Sequence, residues 1–162
     1  MTALSLHLGL NCLDPGAYGG WEGPLAGCHN DARDWQQLAV QQGFAPTIAL
    51  DDHVTRAFVL SELASAADEL RSGDFFFLTY SGHGGQVRDL SGDEEDGADE
   101  TWCLFDGQLI DDELQAALAA FAGGVRVVVV ADSCHSGTSI RGRIEAPSGI
   151  SRHRAVDAAF ME

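Results

Sequence analysis

The side chains best suited to covalent chemistry stand at two glycine-bordered points. Cys134 follows four consecutive valines, Val127–Val130, in the stretch "VVVVADSCHSG". A cysteine inside such a run would be an inert small hydrophobe; just past its end, before a glycine, it sits where a strand hands over to a loop. His83 lies 51 residues upstream in "SGHGG". A neighbouring imidazole raises the thiolate fraction of a cysteine and makes it a nucleophile for acyl transfer. Gly82, Gly84 and Gly85 let the backbone around His83 turn sharply and approach a substrate. Amides near Gly84 and Cys134 would then hold the oxyanion. His135 is adjacent in sequence, but on an extended backbone its side chain points away from that of Cys134, so it is the poorer base. The competing reading is a buried structural cysteine and a histidine that merely packs.

This pair works only if two strand ends lie side by side. Four stretches read as strands buried on both faces: 3–10, 46–50, 74–80 and 125–131. Continuous apolar runs of that kind suit a parallel sheet covered by helices. Amphipathic helices are expected at 30–42, 55–71 and 112–121, with Thr55 and Asp111 as caps. The alternation implies βαβ units and a three-layer α/β/α sandwich with a mainly parallel sheet, formed by one domain over 1–162. Ligands of such sheets bind beyond the carboxyl ends of the strands. The segments "NCLDPG", "SGHGG" and "DSCHSG" all fall there. The Gly- and Pro-rich stretch 11–31 reads as a long loop, as does 88–100, which carries seven carboxylates. The tail from Gly142 has no clear period.

The bulk composition narrows the partners. With 162 residues, 45% hydrophobic and 21% charged, the chain reads as an ordinary globular domain. A formal charge of −16 argues against nucleic acid and suits basic peptides or cations. No apolar run could span a bilayer, and the N-terminus lacks a secretory pattern. Cys12, Cys28, Cys103 and Cys134 form no CxxC pair, so a zinc site or dense disulfide framework is not expected and a reducing, cytoplasmic setting is.

"YSGHGG" (80–85) followed by "DSCHSG" (132–137) resembles the caspase-fold (caspase-haemoglobinase-like) cysteine peptidases, and more narrowly the metacaspases and orthocaspases. "GCHNDA" (27–32) and "DDEL" (111–114) are similar to further segments of that family, in the right order over roughly residues 4 to 140. The resemblance implies a Cys134–His83 dyad cleaving after Arg or Lys, with Cys28, Asp31, Ser81 and Asp132 forming the primary pocket. Two desolvated carboxylates would grip a guanidinium and reject an acidic side chain. Asp31 also suits a helix cap, and Asp132 a brace for the catalytic loop. The resemblance further implies calcium at Asp99, Asp111 and Asp112, a cation that takes about six to eight oxygens. Arg141 opposes it, and a solvated loop and a helix cap explain the same acids.

The family's catalytic fold continues beyond the cysteine strand, whereas about 28 residues follow Cys134 here. The chain is therefore expected to be the large-subunit portion without the smaller C-terminal one. The edge of the 127–130 strand then calls for a cover: a second copy, a separate C-terminal partner, or residues 142–162. Two rivals to a peptidase are a non-catalytic caspase-like interaction module or inactive fragment, and an unrelated Rossmann-like domain. The latter lacks a GxGxxG after the first strand, where "GLNCLDPG" stands.

Overall fold

The structure, a computed structural model, describes residues 1–88 and 98–133. In chain order the elements are β1 (Ala3–Gly9), α1 (Cys28–Gln41), β2 (Ala45–Leu50), a 3-10 turn (Asp51–His53), α2 (Arg56–Glu69), β3 (Phe75–Ser81), β4 (Gly84–Arg88), β5 (Ala98–Leu104), β6 (Gly107–Ile110), α3 (Asp111–Ala119) and β7 (Arg126–Asp132). Four strands form a parallel sheet in the order β2-β1-β3-β7. Each stretch expected as a strand is one, to within a residue at either end.

Strand alternation sorts the sheet into two unlike faces. Leu4, Leu6 and Leu8 share a face with their register partners Phe76, Leu78 and Tyr80, and these with Val127, Val129 and Ala131. This face packs against Val59, Leu63 and Ala66 of α2 and Leu114 and Leu118 of α3 in one continuous core. Thr55 caps α2 as expected, its hydroxyl accepting from Phe58 N at 3.2 Å. The opposite face carries α1. There Trp35 meets the edge of Phe77, and Gly9 lies so close beneath α1 that a Cβ would sit 2.4 Å from the Cys28 carbonyl oxygen. The three-layer sandwich is thus α1, sheet, and α2 with α3.

Under α1 the sheet buries a polar ladder. His7 is fully buried, its Nδ1 2.9 Å from Thr79 Oγ1 and its Nε2 2.9 Å from Ser5 Oγ. Burial pushes its pKa down from 6.5 to about 4, so the ring is neutral at ordinary pH. The unfolded chain takes up that proton at higher pH than the folded one. Stability is therefore full above about pH 6.5 and falls as the pH drops toward 4, by about 1.4 kcal/mol per pH unit and about 3 kcal/mol in all. Urea unfolding followed between pH 7 and 4 should show this slope, and His7→Gln should flatten it. A variant as acid-sensitive as the parent would place the slope elsewhere.

Three expectations require correction. The acidic stretch 88–100 is not a loop throughout: Arg88 ends β4 and 98–100 open β5, which pair antiparallel, with β6 completing a second, three-stranded sheet. "GGQVR" and "ADETWCL" carry glycines and acids that mask strand character, and tertiary pairing overrides that propensity. The helix expected at 30–42 starts earlier, at Cys28, so the loop before it ends at Gly27. Asp111 is not the cap of α3 but its first residue; Ile110 holds the cap position, and Asp111 Oδ1 accepts from Asp112 N at 3.1 Å. Among the described residues β7 is the outermost strand of its sheet, with Val127 buried and Val128–Ala131 half-buried. No described helix is long and apolar enough to cross a membrane.

Candidate active site

The ends of β1, β3 and β7 lie level, because Gly9 is in register with Ser81 and Ser81 with Asp132. Two residues beyond Ser81 stands His83; two residues beyond Asp132 stands Cys134, which, with the amide assigned to it in the oxyanion hole, lies outside the described residues, as do His135 and Arg141. Parallel pairing of β3 with β7 therefore launches the two candidate catalytic residues from neighbouring strand ends. The Gly82 amide donates to the Asp132 carbonyl at 3.3 Å and continues the pairing one step further. Gly84, the other oxyanion candidate, opens β4 opposite Trp102.

His83 is held from three sides. Its Nε2 lies 3.1 Å from the carbonyl oxygen of Gly23. A carbonyl only accepts, so Nε2 carries a proton, and in the neutral ring this leaves the lone pair of a base on Nδ1. The Trp21 ring lies against the imidazole, with centroids 4.7 Å apart. Beneath, the His83 carbonyl accepts from Tyr80 Oη at 2.7 Å and from Cys103 N at 2.9 Å. Tyr80 itself is buried and stacked on Trp102, with ring centroids 4.5 Å apart, which ties the loop to the second sheet. Gly23 sits at φ +54, and a Cβ there would come 3.1 Å from His83 Cδ2 and 3.0 Å from Leu13 Cδ1. Only glycine delivers that carbonyl without strain.

Sequence reasoning missed Gly23, Trp21 and Tyr80. The first two lie in the 11–31 stretch, where a functional carbonyl leaves no trace in residue type. The one available signal was "GGWEG", a large aromatic ring between glycines.

The residues expected to form the primary pocket are brought together. Ser81 Oγ donates to Asp31 Oδ2 at 2.8 Å. Asp31 belongs to the first turn of α1, whose cap position is Gly27 with no side-chain cap, so the alternative role of Asp31 as a cap does not apply. Buried Cys28, one turn earlier, feels both Asp31 and Asp132. Its thiol is pushed up chiefly by burial, with the Ser81 contact pulling the other way and both carboxylates adding to the rise. The expectation of two desolvated carboxylates is corrected: Asp31 is half-buried, but Asp132 is exposed. Asp132 is the last residue of β7, the outermost strand among the described residues.

Burial also raises the Cys103 thiol, and burial together with Asp51 raises that of Cys12. All three described cysteines are thus poor thiolates at neutral pH. Just after β2, at the start of the 3-10 turn, Asp51 is the one described non-glycine residue at positive φ, +46. Burial works against its charge, but the His29 contact and the amides of Asn11 and Cys12 outweigh it and hold the carboxyl below its usual range.

The carboxylates expected to bind calcium stand around the start of α3. Asp99 lies on β5, and the end rung of the β5–β6 ladder joins Thr101 to Ile110, just before Asp111 and Asp112. Asp99 and Asp111 are buried. Among the described residues no three histidine, cysteine or carboxylate side chains converge as a metal-binding group. The acidic residues 89–97 lie outside the described residues.

Comparison with known proteins gives the family and the fold. The family model for the metacaspase, peptidase C14 domain matches residues 6–141. The chain is 36% identical over 151 residues to Metacaspase-1 of Ajellomyces capsulatus, covering 84% of this chain and 41% of that protein. It is 35% identical over 151 residues to Metacaspase-1B of Neurospora crassa, covering 84% of this chain and 34% of that protein. Among solved structures, protein GSU0716 from Geobacter sulfurreducens is similar with a TM-score of 0.79 and 56% sequence identity, over 85% of this chain and 52% of that one. The chain thus spans well under half the length of these curated relatives. With the strand ends, the glycine-bordered histidine and the family match in agreement, this chain belongs to the metacaspase, peptidase C14 domain family.

Proposed function

We propose that this domain is a cysteine endopeptidase that cleaves peptide bonds after arginine or lysine. The observation that carries the reading is His83, its Nε2 proton committed to the Gly23 carbonyl, projecting from the strand end beside the one that leads to Cys134. In the proposed reaction His83 Nδ1 takes the proton from Cys134 Sγ as the sulfur attacks the carbonyl carbon of the peptide bond. The oxyanion is held by the amides of Gly84 and Cys134. His83 then gives the proton to the leaving amine, and a thioester joins Cys134 to the acyl half. Water, deprotonated by the same imidazole, releases the acid and regenerates the thiol. The primary side chain lies toward Asp31, Ser81, Cys28 and Asp132, where a guanidinium or ammonium meets two carboxylates.

The test uses peptides that differ only in the residue before the scissile bond. Arg and Lys peptides are expected to be cleaved at least about 100-fold faster, in kcat/KM, than Asp or Leu peptides. Faster cleavage of Asp-ended peptides would reverse the assignment, and no cleavage of any would refute the activity.

A further inference from the structure

The start of α1 carries Cys28 and Asp31, yet its own cap residue, Gly27, offers no side chain. The first helical amide is satisfied from far away in sequence: Cys28 N donates to Asn11 Oδ1 at 3.0 Å. Asn11 is in turn fixed by Asp51, whose Oδ1 accepts from Asn11 N at 2.8 Å and Cys12 N at 3.3 Å. The other oxygen, Asp51 Oδ2, lies 2.7 Å from His29 Nε2, in the first turn of α1. One carboxylate at the end of β2 therefore grips both the exit from β1 and the start of α1, and it does so from the left-handed backbone region. Non-glycine residues persist there only where the surroundings hold them.

We propose that Asp51 is a positioning residue for the primary pocket. It sets where the first turn of α1 lies, and so whether Asp31 reaches Ser81. This deepens the proposed function and rests on the pocket assigned there. The 2.8 Å bond from Ser81 to Asp31 tolerates little drift of that turn, and displacement of a substrate-gripping group by about an ångström costs on the order of tenfold to a hundredfold.

Three substitutions separate positioning from backbone strain. Asp51→Gly removes the strain together with the carboxylate. Asp51→Asn tolerates the same φ and keeps an acceptor oxygen for the Asn11 and Cys12 amides. Asn11→Ala leaves Asp51 intact and removes only the acceptor for the Cys28 amide. With Arg peptides, Asp51→Gly and Asn11→Ala are expected to raise KM about tenfold with kcat within about threefold, while Asp51→Asn restores most of the loss. Alkylation of Cys134 by iodoacetamide, which needs no pocket, should stay within about twofold of the parent.

Hydrogen exchange at residues 28–31 should be faster in Asp51→Gly and Asn11→Ala and near the parent's in Asp51→Asn. Parent-like KM and exchange in Asp51→Gly, or a better result for Gly than for Asn, would overturn the proposal. A parent protein that shows no preference for Arg would refute the pocket assignment instead, and the exchange result would still decide whether Asp51 holds α1.

Discussion

Cys134→Ala is expected to abolish peptide cleavage, a loss of at least about 10⁴-fold in kcat, and His83→Ala to cost about as much. The two should not add, because a nucleophile without its base and a base without its nucleophile fail at the same step. Their folds should survive. His83 is half-buried, and the two hydrogen bonds that its backbone carbonyl accepts, from Tyr80 Oη and Cys103 N, are kept by alanine. The diagnostic measurement is iodoacetamide alkylation across pH. In the parent, alkylation near neutral pH should be fast, and in His83→Ala it should slow by about tenfold or more. Wild-type turnover by Cys134→Ala would remove that residue from the chemistry.

Asp31→Ala carries the second large effect. The substitution leaves Ser81 Oγ without its carboxylate partner and takes from the pocket the better shielded of its two negative charges. For Arg peptides, kcat/KM should fall by about 10² or more, mostly in KM, while hydrolysis of peptides with a neutral side chain before the bond changes little. Asp132→Ala should cost much less, a few-fold, since an exposed carboxylate is screened by water and salt. Equal losses on charged and neutral peptides would mean that Asp31 supports the fold and does not read the substrate. A larger loss at Asp132 would show that substrate binding shields it.

The sequence carried the parallel sheet openly, because "FFFLTY" and "VRVVVVA" are too uniformly apolar for anything but a strand covered on both faces. It also disclosed the cap at Thr55 and the histidine loop, whereas the grouping of Cys28, Asp31, Ser81 and Asp132 came from the family resemblance and not from residue type or spacing. The second sheet stayed hidden, since its strands are short and mixed and are specified by pairing with one another. The same holds for Gly23, whose contribution is a main-chain oxygen, and for Asp51. Its role follows from a backbone angle and from partners about 40 residues earlier and 22 residues earlier, at Asn11 and His29. Chemistry done by side chains at strand ends can be read from residue type. Chemistry done by backbone groups and by long-range supports cannot.

The level row of Gly9, Ser81 and Asp132 gives the site a parity. Side chains alternate between the two faces of a strand, so each of these positions is either on the α1 side or on the opposite one, with nothing between. The crossovers between the strands can lengthen or shorten freely without touching that parity, because loops absorb the change. One residue inserted within β3 cannot be absorbed. It would turn Ser81 away from Asp31 and bring a core-facing side chain into the pocket. The substrate-facing row is thus insulated from changes in the connecting loops and exposed to single insertions in the strands, which makes the strands the heritable ruler of the site.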